Sequence, residues 1–304
     1  MIKRILIFTI PVVFFSCDKL YNGIVKDLEV PSKDPILTCQ LFVDAKDTLI
    51  KAIVGQSYGI LDSVNSGIND VFLSLYKSDT LLASWQTQSS SSSMVYPISL
   101  SMPLSNGTAG VVYRLECSHA GLNEQLVGEQ VVPSKAIVED LNSSYTIDTD
   151  DGYRGLLVNY SFRLKDIPGE NQYYLLTGKI KYLDSSTNDT IEAEIEYWTT
   201  SNLAERPSNS LKALLLTEDR IDQDINVLCS GRYYDFPYNV DPSVVIETTL
   251  SIKTLTSDYF QFIESYTTYQ NTFTNPFAEP SRLHSNMVGG IGCFGLSNSI
   301  EVTI

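Results

Sequence analysis

Histidine is nearly absent: the 304-residue chain holds only His119 and His284. A Ser-His-Asp or Cys-His nucleophile system needs one of them, and no GxSxG turn accompanies either, so acyl-transfer chemistry has little to build on. Basic residues are also few, 21 Lys+Arg against 36 Asp+Glu, for a net charge of −15. A chain this acidic is repelled by phosphate backbones, and with no basic cluster to offset that, nucleic-acid binding does not fit. The same surface binds anionic lipid poorly through charge alone. No two cysteines stand at CxxC spacing, which argues against a thiolate metal site, and no cofactor is implied. No apolar run reaches the roughly 20 residues of a spanning helix. No repeat with a period of 20–50 residues is visible.

What is present begins at the N-terminus. Met1-Ile2-Lys3-Arg4 is a short positive region, followed by the apolar stretch Ile5–Phe15 and then Ser16-Cys17. That length fits an export signal. A cysteine directly after the apolar segment, with a small residue before it, is the pattern cut by the lipoprotein signal peptidase. Residues 1–16 are therefore expected to be removed and Cys17 to carry a diacylglycerol, with its freed amine acylated as well (palmitate being the usual label). Each buried methylene contributes about 0.8 kcal/mol, so several chains make a durable anchor. Losing Lys3 and Arg4 takes the net charge from −15 to −17. Residues 17–35 are polar, hold two prolines and read as a tether.

The remainder is rich in Tyr (18) and Phe (12), with much Thr, Val and Ile, a composition that favours strands. Alternating runs recur: Leu37, Cys39, Leu41 and Val43; Val71, Leu73 and Leu75, with Ser78-Asp79 as a turn before Thr80–Thr87; and Val111, Tyr113, Leu115 and Cys117. Their length and spacing predict an immunoglobulin-like β-sandwich over 36–135. Residues 136–304 are expected to form a larger antiparallel β domain. There Leu156–Leu164 alternates cleanly, Ile191, Ala193, Ile195 and Tyr197 oppose Glu192, Glu194 and Glu196, and Val244, Ile246, Thr248, Leu250 and Ile252 share a face. One helix is predicted over about Ser257–Gln270, with Ser257 as N-cap, Asp258 in the first turn, and Tyr259, Phe260, Ile263 and Tyr266 at helical spacing. The predicted class is all-β with one packed helix.

Cys39, Cys117, Cys229 and Cys293 are either small buried hydrophobes or disulfide partners, and a Cys39–Cys117 bridge is geometrically open. Asp148, Asp150, Asp151 and Gly152 miss the spacing of a Ca²⁺ loop and read as a plain turn. A glycan hydrolase needs two acids across a sugar bond, but with 36 acids such a pair carries no specificity. Arg232-Tyr233-Tyr234-Asp235-Phe236-Pro237-Tyr238 concentrates rings that would serve either core packing or contact with a ligand or partner through Arg232, Tyr233, Tyr234, Phe236 and Tyr238.

The C-terminal stretch is the most specific. It runs Asn275-Pro276-Phe277-Ala278-Glu279-Pro280, then Ser285-Asn286, then Gly289-Gly290-Ile291-Gly292-Cys293-Phe294-Gly295. With Ile68-Asn69-Asp70-Val71, Tyr113-Arg114-Leu115 ahead of Val132-Pro133, and Asp166-Ile167-Pro168-Gly169 ahead of Asn171-Gln172-Tyr173-Tyr174, it resembles the domain-of-unknown-function family 4249, lipoproteins of the Bacteroidota. Asp70 for the usual Ala, Leu283-His284 for an aromatic and Cys293 for an aliphatic depart from that pattern. Physically, the prolines fix the backbone around Glu279, the glycines permit close approach, Phe277 and Phe294 are core plugs, and Glu279 and Asn286 would lock the chain end by hydrogen bonds. The functional reading makes Glu279, His284 and Asn286 a ligand site.

The resemblance implies an all-β lipoprotein at the outer membrane, whose relatives are often encoded beside TonB-dependent nutrient transporters. Surface export in that phylum is favoured by acids after the cysteine; Asp18 followed by Lys19-Leu20 is a weak version, and the cell surface is expected over the periplasmic face. No activity comes with it, and the ligand is unspecified. The leading expectation is a noncatalytic lipoprotein that binds a ligand or partner as accessory to such a β-barrel transporter; a structural or adhesive envelope protein is the alternative, and a glycan-acting hydrolase the third. Asp47-Thr48-Leu49, Asp62-Ser63-Val64, Asp79-Thr80-Leu81 and Asp189-Thr190-Ile191 fit the pattern of O-glycosylation in that phylum, which marks Thr48, Ser63, Thr80 and Thr190.

Overall fold

The computed structural model describes residues 34–57, 68–87, 95–100, 103–104, 108–122, 125–148, 155–184, 187–200, 204–205, 212–217, 224–234, 244–273 and 281–303. Cys17, Ser63, Phe236, Tyr238, Phe277 and Glu279 lie outside them, as do the Ser89–Ser93 run and most of the 148–152 turn. The described chain is mostly strand with one helix. In order come β1 (Leu37–Asp44), β2 (Leu49–Gln56), β3 (Val71–Lys77), β4 (Thr80–Gln86), β5 (Val95–Ser99), β6 (Val112–His119) and β7 (Leu126–Val131). After them come β8 (Val138–Asp148), β9 (Gly155–Leu164), β10 (Tyr173–Asp184), β11 (Asp189–Glu194), β12 (Tyr197–Thr200), β13 (Ala204–Glu205), β14 (Leu214–Thr217), β15 (Ile225–Tyr233) and β16 (Val245–Leu255). Helix α1 (Ser257–Phe273) and β17 (Ile291–Thr303) close the sequence.

Nine strands form one long sheet, β13-β14-β10-β16-β17-β1-β2-β5 with β11 also on β10; two four-stranded sheets, β4-β3-β6-β7 and β12-β15-β9-β8, pack on it. Period-two burial places Leu37, Cys39, Leu41 and Val43 of β1 against Val71, Leu73 and Leu75 of β3 and Tyr113, Leu115 and Cys117 of β6 in a first core. Leu156, Val158, Tyr160 and Phe162 of β9 meet Tyr174, Leu176, Leu250 and Ile252 of the long sheet in a second. Positions 135 and 136 do not mark a break in the backbone hydrogen bonding, because the last strand, β17, lies between β16 and β1 in the long sheet.

That join is parallel, Thr38 to Asp44 matching Ile291 to Ser297, and it stands among antiparallel pairs. Gly292 lies opposite Cys39, where a Cβ would collide with the Cys39 carbonyl. Gly289 has φ +90° and would drive a Cβ into the Gln125 carbonyl. These two positions explain the glycine cluster of the C-terminal motif. The far end of the join is polar: the buried Asp44 carboxylate accepts from Ser297 Oγ at 2.9 Å, Ser299 Oγ at 3.0 Å and the Lys46 amide at 3.1 Å. Buried polar oxygens are ordinarily matched with donors in this way.

Two expectations need correction. The alternation Ile191–Tyr197 is not one strand: β11 pairs with β10 in the long sheet and β12 with β15 in another. The chain changes sheets at residues 195–196, where the Ile195 amide donates to Gly178 and the Glu196 amide to Arg232. Ile195 is fully buried at this corner, and beyond it Trp198 is the buried side chain, so the buried positions change parity as the partner strand changes. Ile246, expected on the core face, is 57% exposed, because it is the extra residue at a register shift between Lys181 and Tyr182 and points outward while Val245 before it is buried.

Helix α1 covers the outer face of the long sheet. Tyr259 stacks on Phe42 with centroids 4.4 Å apart, Phe260 stacks on Tyr173 at 4.6 Å, and Ile263 joins them over Leu215 and Leu255. The helix begins on schedule at Ser257 and extends one turn beyond the predicted end.

Candidate functional site

Asp258, in the first turn of α1, is a hub. Its carboxylate accepts from the Gln130 amide group on β7 at 2.7 Å and pairs with His284 Nε2 at 2.7 Å. Burial pushes this carboxyl up, but hydrogen bonds from His284, Gln130 and Asn286 outweigh that and hold it below its ordinary value. Three elements distant in sequence, β7, α1 and the 281–290 segment, are thereby tied together.

Asn286 clamps the last strand. Its Nδ2 donates to the Phe294 carbonyl at 2.8 Å, and its Oδ1 accepts from the Phe294 amide at 2.9 Å. Phe294 is fully buried in the first core, the plug the sequence suggested. Ser265 Oγ accepts from the His284 amide at 2.8 Å, and Ser285 Oγ accepts from the Gly292 amide at 3.0 Å.

Beside this frame lies an open cleft of about 1040 Å³ between the outward side of α1 and the returning chain. Gln261, Glu264, Ser265 and Thr268 form the helical wall; Arg282, His284 and Ser285 form the other. Gln261, Glu264, Thr268, Arg282 and Ser285 are exposed, whereas His284 and Asn286 are half-buried. The cleft thus has a fixed floor and a polar rim bearing both signs of charge, a surface suited to holding a polar ligand or partner segment.

The structure brings together His284 and Asn286 of the predicted triad; Glu279 falls outside the described residues. Arg232, Tyr233 and Tyr234 lie elsewhere, on and just after β15. Tyr233 packs on Tyr182 at 6.3 Å against the second core, and the Arg232 guanidinium sits 5.5 Å from the Tyr234 ring centre. Tyr233 thus packs, one of the two roles expected of this segment. His119 ends β6 and closes a turn, its Nδ1 accepting from the Gly121 amide at 3.1 Å. Sequence reasoning missed Gln130 and gave Asp258 only a helix-dipole role. Neither stands near His284 in sequence, so no local pattern could pair them. Thr48, Thr80 and Thr190 are all exposed: Thr48 immediately precedes β2, and Thr80 and Thr190 are in the β3–β4 and β10–β11 hairpins.

The family model described as "Domain of unknown function (DUF4249)" matches residues 27–302. None of the curated proteins matches the chain. Among solved structures, a partial N-terminal region of an enterococcal surface protein is 8% identical and aligns over 76% of this chain and 92% of its own at a TM-score of 0.17. The yeast delta-COP-I mu-homology domain complexed with a Dsl1 WxWxV peptide is 10% identical, aligned over 90% of this chain and 97% of its own at a TM-score of 0.19. At such scores neither carries an argument about fold or function.

Proposed function

Since the chain belongs to the DUF4249 family, a domain of unknown function, we propose that it is a noncatalytic, lipid-anchored outer-membrane protein that binds a ligand or partner in the cleft beside α1. The observation that carries this reading is the cleft itself, an exposed polar rim of Gln261, Glu264, Thr268 and Arg282 over a floor fixed by hydrogen bonds. Binding sites work best when the supporting frame is already ordered, because less entropy is lost on association.

The chemistry of the floor favours holding over reacting. Ser265 and Ser285, the hydroxyls beside His284, each accept a backbone amide, which suits anchors better than nucleophiles. A glycan hydrolase needs one carboxyl raised into the neutral range as general acid, and Asp258 is moved in the opposite direction.

In this proposal Cys17 carries the acyl chains, the protein faces the cell exterior, and the partner is a TonB-dependent β-barrel transporter. Growth on labelled palmitate should mark the wild-type protein, and Cys17→Ala should abolish the label and release the chain from the membrane fraction. Affinity recovery from detergent-solubilised envelopes should bring down a β-barrel protein with the wild-type chain. Label that survives Cys17→Ala contradicts the anchor; repeated recovery of the chain with no barrel contradicts the transporter role.

Exposure of Thr48, Thr80 and Thr190 supports their use as O-glycan acceptors, and Ser63 shares their sequence pattern. The intact mass of the envelope-derived protein should exceed peptide plus lipid by whole sugar residues, with the excess reduced by the combined Thr48→Ala, Ser63→Ala, Thr80→Ala and Thr190→Ala changes. A mass equal to peptide plus lipid refutes it.

A further inference from the structure

Four cysteines in the described residues are fully or nearly fully buried, and they fall into two kinds. Cys229 sits in the second core, away from the others, and Cys293 lies on the helix side of the long sheet with its Sγ 3.7 Å from the Asp258 carbonyl. Cys39 and Cys117 face each other. One is on β1 of the long sheet and the other on β6 of the opposing sheet, both 0% exposed in the same core. Packed sheets ordinarily stand about 10 Å apart, whereas β1 and β6 bring Cα atoms within 8 Å of each other. The neighbouring Cys117 thiol and burial together push the Cys39 thiol well up.

We propose that Cys39 and Cys117 are joined as an inter-sheet disulfide in the exported protein. The oxidant is the disulfide form of a dithiol exchange partner. A thiolate from one cysteine attacks that disulfide, forming a mixed disulfide and releasing one partner thiolate, which takes up a proton. The second cysteine, as thiolate, then attacks the mixed bond and expels the other partner sulfur. The two cysteines lose two electrons and two protons in all, and the partner leaves as a dithiol. Thiol burial sets the timing. With both sulfurs sealed in the core and the Cys39 thiol raised, the closed sandwich presents little thiolate to any partner, so exchange occurs while the two sheets are still coming together. The resulting link spans the first core between β1 and β6 and closes a long loop, the geometry in which a cross-link restricts the unfolded chain most.

The test uses the full chain recovered from envelopes, alkylated in denaturant without reductant and digested. The expected result is a linked peptide pair containing Cys39 and Cys117, with Cys229 and Cys293 alkylated. Reductant should then lower the thermal midpoint by roughly 5–15 °C, the shift expected of one such bridge in a chain of this size. Cys229→Ala should retain that response and Cys117→Ala should lose it, starting from the lower midpoint. Recovery of Cys39 and Cys117 both alkylated without reductant, or of either joined to another cysteine, overturns the proposal. A Cys117→Ala protein too unstable to isolate leaves the peptide map of the wild-type chain as the deciding result.

Discussion

Replacing Gly292 with valine should prevent the chain from reaching its native fold, or leave it unstable by at least about 3 kcal/mol. A side chain at this position meets backbone, which has no rotamer to yield: the Cys39 carbonyl carbon would lie 2.8 Å from the new Cβ and the Cys39 amide nitrogen 3.0 Å from it. Relief requires separating β17 from β1, and with that the Asp44–Ser297 and Asp44–Ser299 hydrogen bonds are lost. Net stabilities of folded proteins are about 5–15 kcal/mol, so a loss of this size is a large part of the whole. Gly169→Ala is the control. Gly169 has φ +86° but nothing within 4 Å of a Cβ, so only the left-handed backbone penalty of roughly 1–2 kcal/mol applies. Urea midpoints should separate the two variants widely; equal shifts would mean that the close approach of the two end strands contributes little.

Asp258→Ala should cost about 2 kcal/mol, in the range for hydrogen bonds to a charged acceptor, because it leaves Gln130, itself only 8% exposed, without its carboxylate. The same group predicts an acid dependence. Its folded pKa is lowered, so the stability it contributes is fully present above the ordinary carboxylate value and is lost as pH falls through the lower, folded one. Wild-type stability should therefore decline more steeply below about pH 4 than that of Asp258→Asn, which keeps the shape but carries no titrating group. Chemical melts at pH 3 and pH 6 decide it. Parallel pH profiles for the two proteins would remove Asp258 from its role as hub.

Much of the architecture is legible in local alternation. Cys39, Leu73, Leu115, Leu156 and Leu250 are buried where period two places them, and the helix appears where Ser257, Phe260 and Ile263 predict it. Strand β8 escaped notice because it is an edge strand and Asn142, Ser144, Tyr145 and Thr146 are exposed, leaving no apolar face to read. The parallel pairing of β1 with β17 escaped for a different reason. Alternation identifies a face but not a neighbour, and these partners stand at opposite ends of the described chain. The site follows the same rule. Asn286 and the glycines belong to a contiguous motif and could be singled out, whereas Gln130 and Asp258 are brought to His284 through tertiary packing alone.

Site-specific photo-crosslinking in intact cells tests the binding role of the cleft most directly. A photoreactive residue at Glu264 or Arg282, both exposed on its rim, should give a discrete adduct, while one at Lys77, exposed at the end of β3, should give none. Adducts absent from both rim positions, or equally abundant at Lys77, would contradict the account.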